Sequence, residues 1–125
     1  MENRLTILNR YRLLDRPESF TTAIAALVAR VRTDGTPGIL SYRFFVNADD
    51  KEARGIIDYD TPRAWIAHHD LAMGWPEMKA LHQVAALTEV TFLGPLTDEI
   101  RDWLAGSSLT ARIESGNRFA SGFQR

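Results

Sequence analysis

Hydrophobic residues along this chain recur with a period of two in some segments and of about 3.6 in others, and the order of the switches narrows the fold more than any other feature. Residues 5–14 alternate: Leu5, Ile7, Asn9, Tyr11 and Leu13 share one face of a strand, and Thr6, Leu8, Arg10 and Arg12 the other. Asp15-Arg16-Pro17-Glu18 has the marks of a helix start, with an acidic cap, an early proline and Glu three places after the cap. Phe20, Ile24, Leu27, Val28 and Val31 follow at helical spacing. Asp34-Gly35-Thr36-Pro37-Gly38 stops that helix, since two glycines and a proline favour a turn. Residues 39–47 are rich in β-branched and aromatic side chains, with Leu40, Tyr42, Phe44 and Val46 on one face. The polar turn Asn47-Ala48-Asp49-Asp50-Lys51 and a return strand over residues 53–60 predict an antiparallel hairpin. Thr61-Pro62 opens a second helix that breaks at Gly74-Trp75-Pro76 and resumes to about Leu87. A fourth strand over residues 89–93 ends at Gly94-Pro95.

The order strand, helix, strand, strand, helix, strand is the split βαβ pattern of an α+β, ferredoxin-like fold. Both helices then lie on one face of a four-stranded sheet, and the other face is bare. Ile7, Tyr11, Tyr42 and Phe44 are placed to line one face or the other, and an apolar bare face calls for a homodimer that packs sheet on sheet. Beyond the fourth strand, Thr97 caps a short helix running to Ala105 with Ile100, Trp103 and Leu104 as its apolar side. Leu109, Ala111 and Ile113 alternate as a further strand would, and residues 115–125, rich in Gly, Ser and Arg, read as a mobile tail unless a partner holds them. The chain thus divides into a ferredoxin-like domain, residues 1–96, and a C-terminal helix and tail, residues 97–125.

The 125 residues suit one domain, and with 45% hydrophobic and 25% charged residues the composition is that of a globular protein. Fifteen Lys and Arg stand against 16 Asp and Glu, a balance with no general attraction for nucleic acid or an anionic membrane. There is no cysteine, which excludes disulfides, thiolate metal sites and cysteine nucleophiles. Met1-Glu2-Asn3-Arg4 lacks the basic-then-apolar order of a secretory signal, and a cytoplasmic protein is expected. Nucleophile elbow, phosphate-binding loop and dinucleotide fingerprint are all missing.

Pro37-Gly38-Ile39-Leu40-Ser41-Tyr42-Arg43-Phe44, then Ile57-Asp58-Tyr59-Asp60 leading into Ala64-Trp65-Ile66-Ala67-His68, resembles the antibiotic biosynthesis monooxygenase group of dimeric α+β barrel proteins. The resemblance covers residues 5–96. It implies an enzyme with no metal or flavin, which binds a small aromatic or polyketide-like substrate between sheet and helices and oxidises it with O2. The substrate supplies the electrons, and the protein supplies shape, hydrogen bonds and proton transfers. One branch of the group degrades heme instead; against it, Asn9 matches the Asn of the first strand and His82 the heme-ligand position, whereas His68 stands where that branch has Trp.

On this reading Asn9 and His68 are the catalytic candidates, and Tyr42, Phe44 and Trp65 hold substrate. The amide of Asn9 can orient a carbonyl or O2, and an imidazole with a reference pKa of about 6.5 can serve as base toward a phenol. Each has a blander reading: Asn9 as a solvent-facing polar residue, His68 as a buried structural histidine on a helical face with Ala64, Trp65, Leu71 and Ala72, and the aromatic residues as core filling. His82 belongs to a cofactor site only if heme binds, and otherwise sits at the core boundary on a stripe with Met78, Leu81 and Ala85. His69, about 100° around the helix from His68, is expected on the surface. No metal site is expected, because a two-His site on a helix needs i, i+4 spacing and His68 and His69 are adjacent. Two other functions stay open: a non-catalytic ligand-binding dimer, and the heme-degrading oxygenase.

Overall fold

The strand at the centre of the sheet is the first one formed by the chain. In a computed structural model, which describes residues 3–125, β1 (Leu5–Leu13) is followed by α1 (Pro17–Asp34), β2 (Ile39–Asn47), β3 (Glu52–Tyr59), α2 (Pro62–Ala72), α3 (Pro76–Val84), β4 (Ala85–Leu93), α4 (Asp98–Ala105) and β5 (Arg112–Asn117). The strands lie in the order β2-β3-β1-β4-β5. The first four are antiparallel to their neighbours, as the ferredoxin-like α+β reading requires, and β5 runs parallel to β4.

The alternation of β1 sorts the molecule. Leu5, Ile7, Tyr11 and Leu13 are buried on the helix side. They are joined there by Ala53, Ile57 and Tyr59 of β3 and by Val90 and Phe92 of β4. This face carries two separate cores. One gathers Tyr11 and Leu13 with Phe20, Ile24, Leu27 and Val31 of α1 and Met78 and Leu81 of α3. The other gathers Leu5 and Ile7 with Ala64 and Trp65 of α2 and Ile100 of α4. Ile7, Tyr11, Tyr42 and Phe44 all belong to the helix side. The bare face is therefore mixed: Leu8 and Ile56 pair across it, beside Thr6 with Asp58 and Arg10 with Arg54, and Phe45 is 52% exposed.

Several boundaries differ from the sequence reading. The second helix is two helices, with Pro76 at the first position of α3, and it ends at Val84. Ala85, Ala86 and Leu87 are good helix formers, but here they pair with Leu13, Arg12 and Tyr11, and sheet pairing overrides propensity. A bulge follows at Thr88, whose hydroxyl donates to the Arg10 carbonyl at 3.1 Å. The extra residue switches which residues of β4 face the helices, so that Leu87 and Val90 both do. Asp15 does not cap α1 through a helical amide: its carboxylate accepts from the Arg16 amide and the Ser19 hydroxyl, which hold its pKa below the usual value. The fifth strand starts later than the alternation suggested. Residues 115–117 of the expected tail belong to it, with Gly94 and Asn117 joined through the Asn117 carbonyl at 3.0 Å.

Candidate functional site

The gap between the two cores is a cavity of about 520 Å³. Its floor is the sheet, with Ile7, Asn9 and Tyr11 of β1, Tyr42 of β2, Ile57 and Tyr59 of β3, and Val90 of β4. Its roof is Trp65, His68 and His69 of α2 and Met78, Leu81 and His82 of α3. Trp103 and Ser107 to Thr110, from α4 and the loop after it, form the rim. No Lys, Arg, Asp or Glu lines the cavity, so its polar groups are amide, hydroxyl, imidazole and indole.

Helix α2 sets the roof. Thr61 caps it, its hydroxyl accepting from the Ala64 amide at 3.3 Å, and Pro62 stands at the first helical position. Ala64, Trp65, His68 and Ala72 are then its buried residues, whereas Leu71, expected on the same face, is exposed. Trp65 packs edge-on to Trp103 with centroids 5.1 Å apart. The Trp103 indole donates to Asp70 at 2.8 Å, which ties α4 to the outer side of α2.

His68 is 2% exposed, and its Nε2 lies 3.5 Å from the Tyr42 hydroxyl. Its Nδ1 is buried without a partner among the described residues. Burial, reinforced by the neighbouring His69, lowers its pKa to about 3, so the ring is neutral at pH 7. Asn9 reaches Tyr11, its amide donating to the phenol oxygen at 3.3 Å. Burial pushes the Tyr11 hydroxyl up to about 12, partly opposed by that bond, and raises Tyr42 and Tyr59 as well. All three phenols are thus un-ionised donors at neutral pH.

Of the sequence candidates, Asn9, Tyr42, Trp65, His68 and His82 line the cavity. Phe44 does not. Its ring packs edge-on to Tyr42 at 4.9 Å and covers Gly55, directly opposite on β3, where an added Cβ would meet Phe44 Cε2 at 2.6 Å. His82 is at the exposed mouth, its pKa lowered by partial desolvation. Among the described residues no group of His, Cys, Asp or Glu is arranged to hold a metal ion, and no helix is long and apolar enough to cross a membrane.

His69 corrects a sequence expectation. It is not a surface residue but stacks on Trp65, with centroids 3.9 Å apart and planes at 29°, and it lines the cavity. Its Nδ1 is 2.7 Å from the Trp65 carbonyl. Residues four apart are neighbours on a helix, so the Trp65–His69 spacing was the sequence signal for this placement. Burial lowers its pKa to about 4, opposed by the Trp65 carbonyl and the Asp70 carboxylate.

Neither a protein-family model nor a curated protein matches the chain. Solved structures do. MupZ from Pseudomonas fluorescens superposes with a TM-score of 0.72 at 19% identity, over 100% of this chain and 91% of its own. SnoaB from Streptomyces nogalater, a cofactor-independent oxygenase, gives 0.64 at 18% identity over 76% of this chain and 95% of its own. A protein from Chloroflexus aurantiacus assigned to the antibiotic biosynthesis monooxygenases gives 0.57 at 20% identity over 75% and 94%. The chain has the fold of the antibiotic biosynthesis monooxygenases, as the resemblance in its sequence implied.

Proposed function

We propose that the protein is a cofactor-independent monooxygenase that oxidises a small aromatic or polyketide-like compound with O2. The observation that carries this reading is the cavity itself: aromatic walls, un-ionised polar groups converging from sheet and helix, and no charged side chain in the lining, in a fold shared with a cofactor-independent oxygenase. Such a cavity takes a flat, electron-rich, uncharged molecule against Trp65 and Tyr42. Phe44 supports Tyr42 from behind. Asn9 orients a substrate carbonyl or O2, and His68, next to the Tyr42 hydroxyl, moves the proton that reduced oxygen requires. In the overall reaction one oxygen atom of O2 enters the product and the other leaves as water, and the substrate supplies all the electrons. The bare sheet face is the surface for a homodimer, and the protein works in the cytoplasm.

The test is incubation with polycyclic phenols under 18O2. Incorporation of one labelled oxygen supports the oxygenase. An Asn9→Ala, His68→Ala double variant should fold and stop consuming O2, and full turnover by it would end those two assignments. A second reading, a ligand-binding protein without chemistry, is favoured by the lowered pKa of the His68 and His69 imidazoles, since a weakly basic ring is a poor base in the empty cavity. Tight binding of the phenol with no label in the product would select it. A Soret band with added hemin that is lost in His82→Ala, and that decays in the wild-type protein when reductant is added, would select heme degradation instead.

A further inference from the structure

We infer that the open edge of β4 at Leu87 takes up an extended, amide-bearing arm of the ligand, so that the aromatic compound enters the cavity as a pantetheinyl thioester and not as a free acid. The inference rests on the oxygenase reading for the place of the ring in the cavity, and deepens it.

The alternation of the ladder fixes which way the Leu87 backbone faces. The Leu13 amide donates to the Lys51 carbonyl, on the β3 side, and the Leu14 amide to the Val84 carbonyl, on the β4 side. Successive residues of an antiparallel strand bond to opposite neighbours, so Tyr11, like Leu13, turns its backbone groups to β3. Leu87 lies opposite Tyr11, and its own N–H and C=O are therefore directed to the far edge of β4. Pairing with β5 begins only at Glu89, opposite Arg112, and Leu87 has no backbone bond to the stretch before β5 among the described residues. Ala85, the other residue facing that edge, gives its N–H to the Leu81 carbonyl.

This edge borders the cavity. Before β5 the chain diverges from β4, and the wedge between them has Ala86 and Leu87 on one side and Leu109 and Thr110 on the other, all four in the cavity lining. Ser108 and Thr110 are exposed, so the wedge opens to solvent. A strand edge with a free N–H and a free C=O pairs with a chain that offers the complementary pair at similar spacing. The β-alanyl unit of a pantetheine arm offers it, an N–H and a C=O two carbons apart. Charge argues the same way. With no Lys or Arg in the lining, a free carboxylate would lose its hydration unreplaced, whereas a thioester is uncharged.

Three probes isolate the arm: the 2-naphthylmethyl thioether of pantetheine, the same thioether with both amides of the arm replaced by esters, and naphthylmethyl methyl thioether, which has no arm. The amide arm should tighten binding about tenfold over the methyl thioether, and the ester arm should lose that gain. In 15N-leucine-labelled protein the Leu87 amide should exchange rapidly with D2O when free and be protected by the amide-armed probe alone. Equal binding of the three probes overturns the inference. So does a Leu87 amide already protected in the free protein, because another segment or a second copy then covers the edge. An acetylated tripeptide amide that protects Leu87 as well as the naphthyl probe does overturns it in favour of a peptide site. None of these readouts needs O2. Insertion of 18O without an arm effect overturns the inference alone, an arm effect without 18O insertion supports the arm and overturns the oxygenase reading, and the lack of both overturns both.

Discussion

The Tyr42 hydroxyl, 3.5 Å from Nε2, is the only polar partner of the His68 side chain among the described residues. Removing it by Tyr42→Phe leaves both ring nitrogens buried and unpaired. The expected cost is about 1 kcal/mol, the size of a modest buried hydrogen bond. Adding His68→Phe removes the unpaired group as well, so the double variant should be less destabilised than the sum of the two singles. Urea denaturation of the four proteins measures this, and strict additivity would contradict the pairing.

Stability should fall on mild acidification. The pKa values of His68 and His69 lie at about 3 and 4 in the folded protein, below the value of about 6.5 for an exposed histidine. Above 6.5 neither state binds these protons and the stability is fully present. As pH drops through 6.5 the unfolded chain takes up protons that the folded one refuses, and stability drains away until the folded pKa values are passed. Each ring contributes a slope of at most about 1.4 kcal/mol per pH unit. Denaturation midpoints at pH 7.5, 5.5 and 4.5 test it, and the slope should shrink in His68→Phe.

Gly55→Ala should destabilise the hairpin. The new Cβ would lie 2.6 Å from Phe44 Cε2, so the ring must shift from its place beside Tyr42. Overpacking of this kind costs about 1–3 kcal/mol, and Phe44→Leu should recover part of it in the double variant. Thermal melts decide the point; unchanged melting in Gly55→Ala would show that the ring moves freely.

Trp103→Phe removes the indole donor to Asp70 and much of the edge against Trp65. Aromatic ligands should bind about fivefold to tenfold more weakly, with global stability reduced by about 1 kcal/mol or less. Titration by intrinsic fluorescence reads the affinity. Asp70→Ala should reproduce a smaller part of the effect, since Asp70 touches the rim only through the indole.

The strand and helix order was legible because burial on one side imposes a period, and β1 shows it nearly residue by residue. Asn9, Tyr42, Trp65 and His68 could be named together for the same reason: each lies on the inward side of its element. What escaped depends on pairing between distant segments. Nothing local in Ala85-Ala86-Leu87 announces a strand, and the Thr88 bulge exists only because β1 lies alongside. Phe44 shares its face with Tyr42, yet Gly55 on the opposite strand draws it off the cavity. His69 was lost to a helical-wheel angle measured from His68 when the informative distance ran from Trp65.

The parallel return to β5 forces the chain to pass from the helix layer to the sheet margin, and the crossing stretch, Ser107 to Thr110, borders the cavity. Its anchors are local, the Ser107 hydroxyl donating to the Leu104 carbonyl and accepting from the Leu109 amide. Insertions or deletions there would reshape the entrance without slipping any of the four antiparallel strands. Selectivity for ligand size can therefore drift in this stretch while the architecture that holds Trp65 and the imidazoles stays constant.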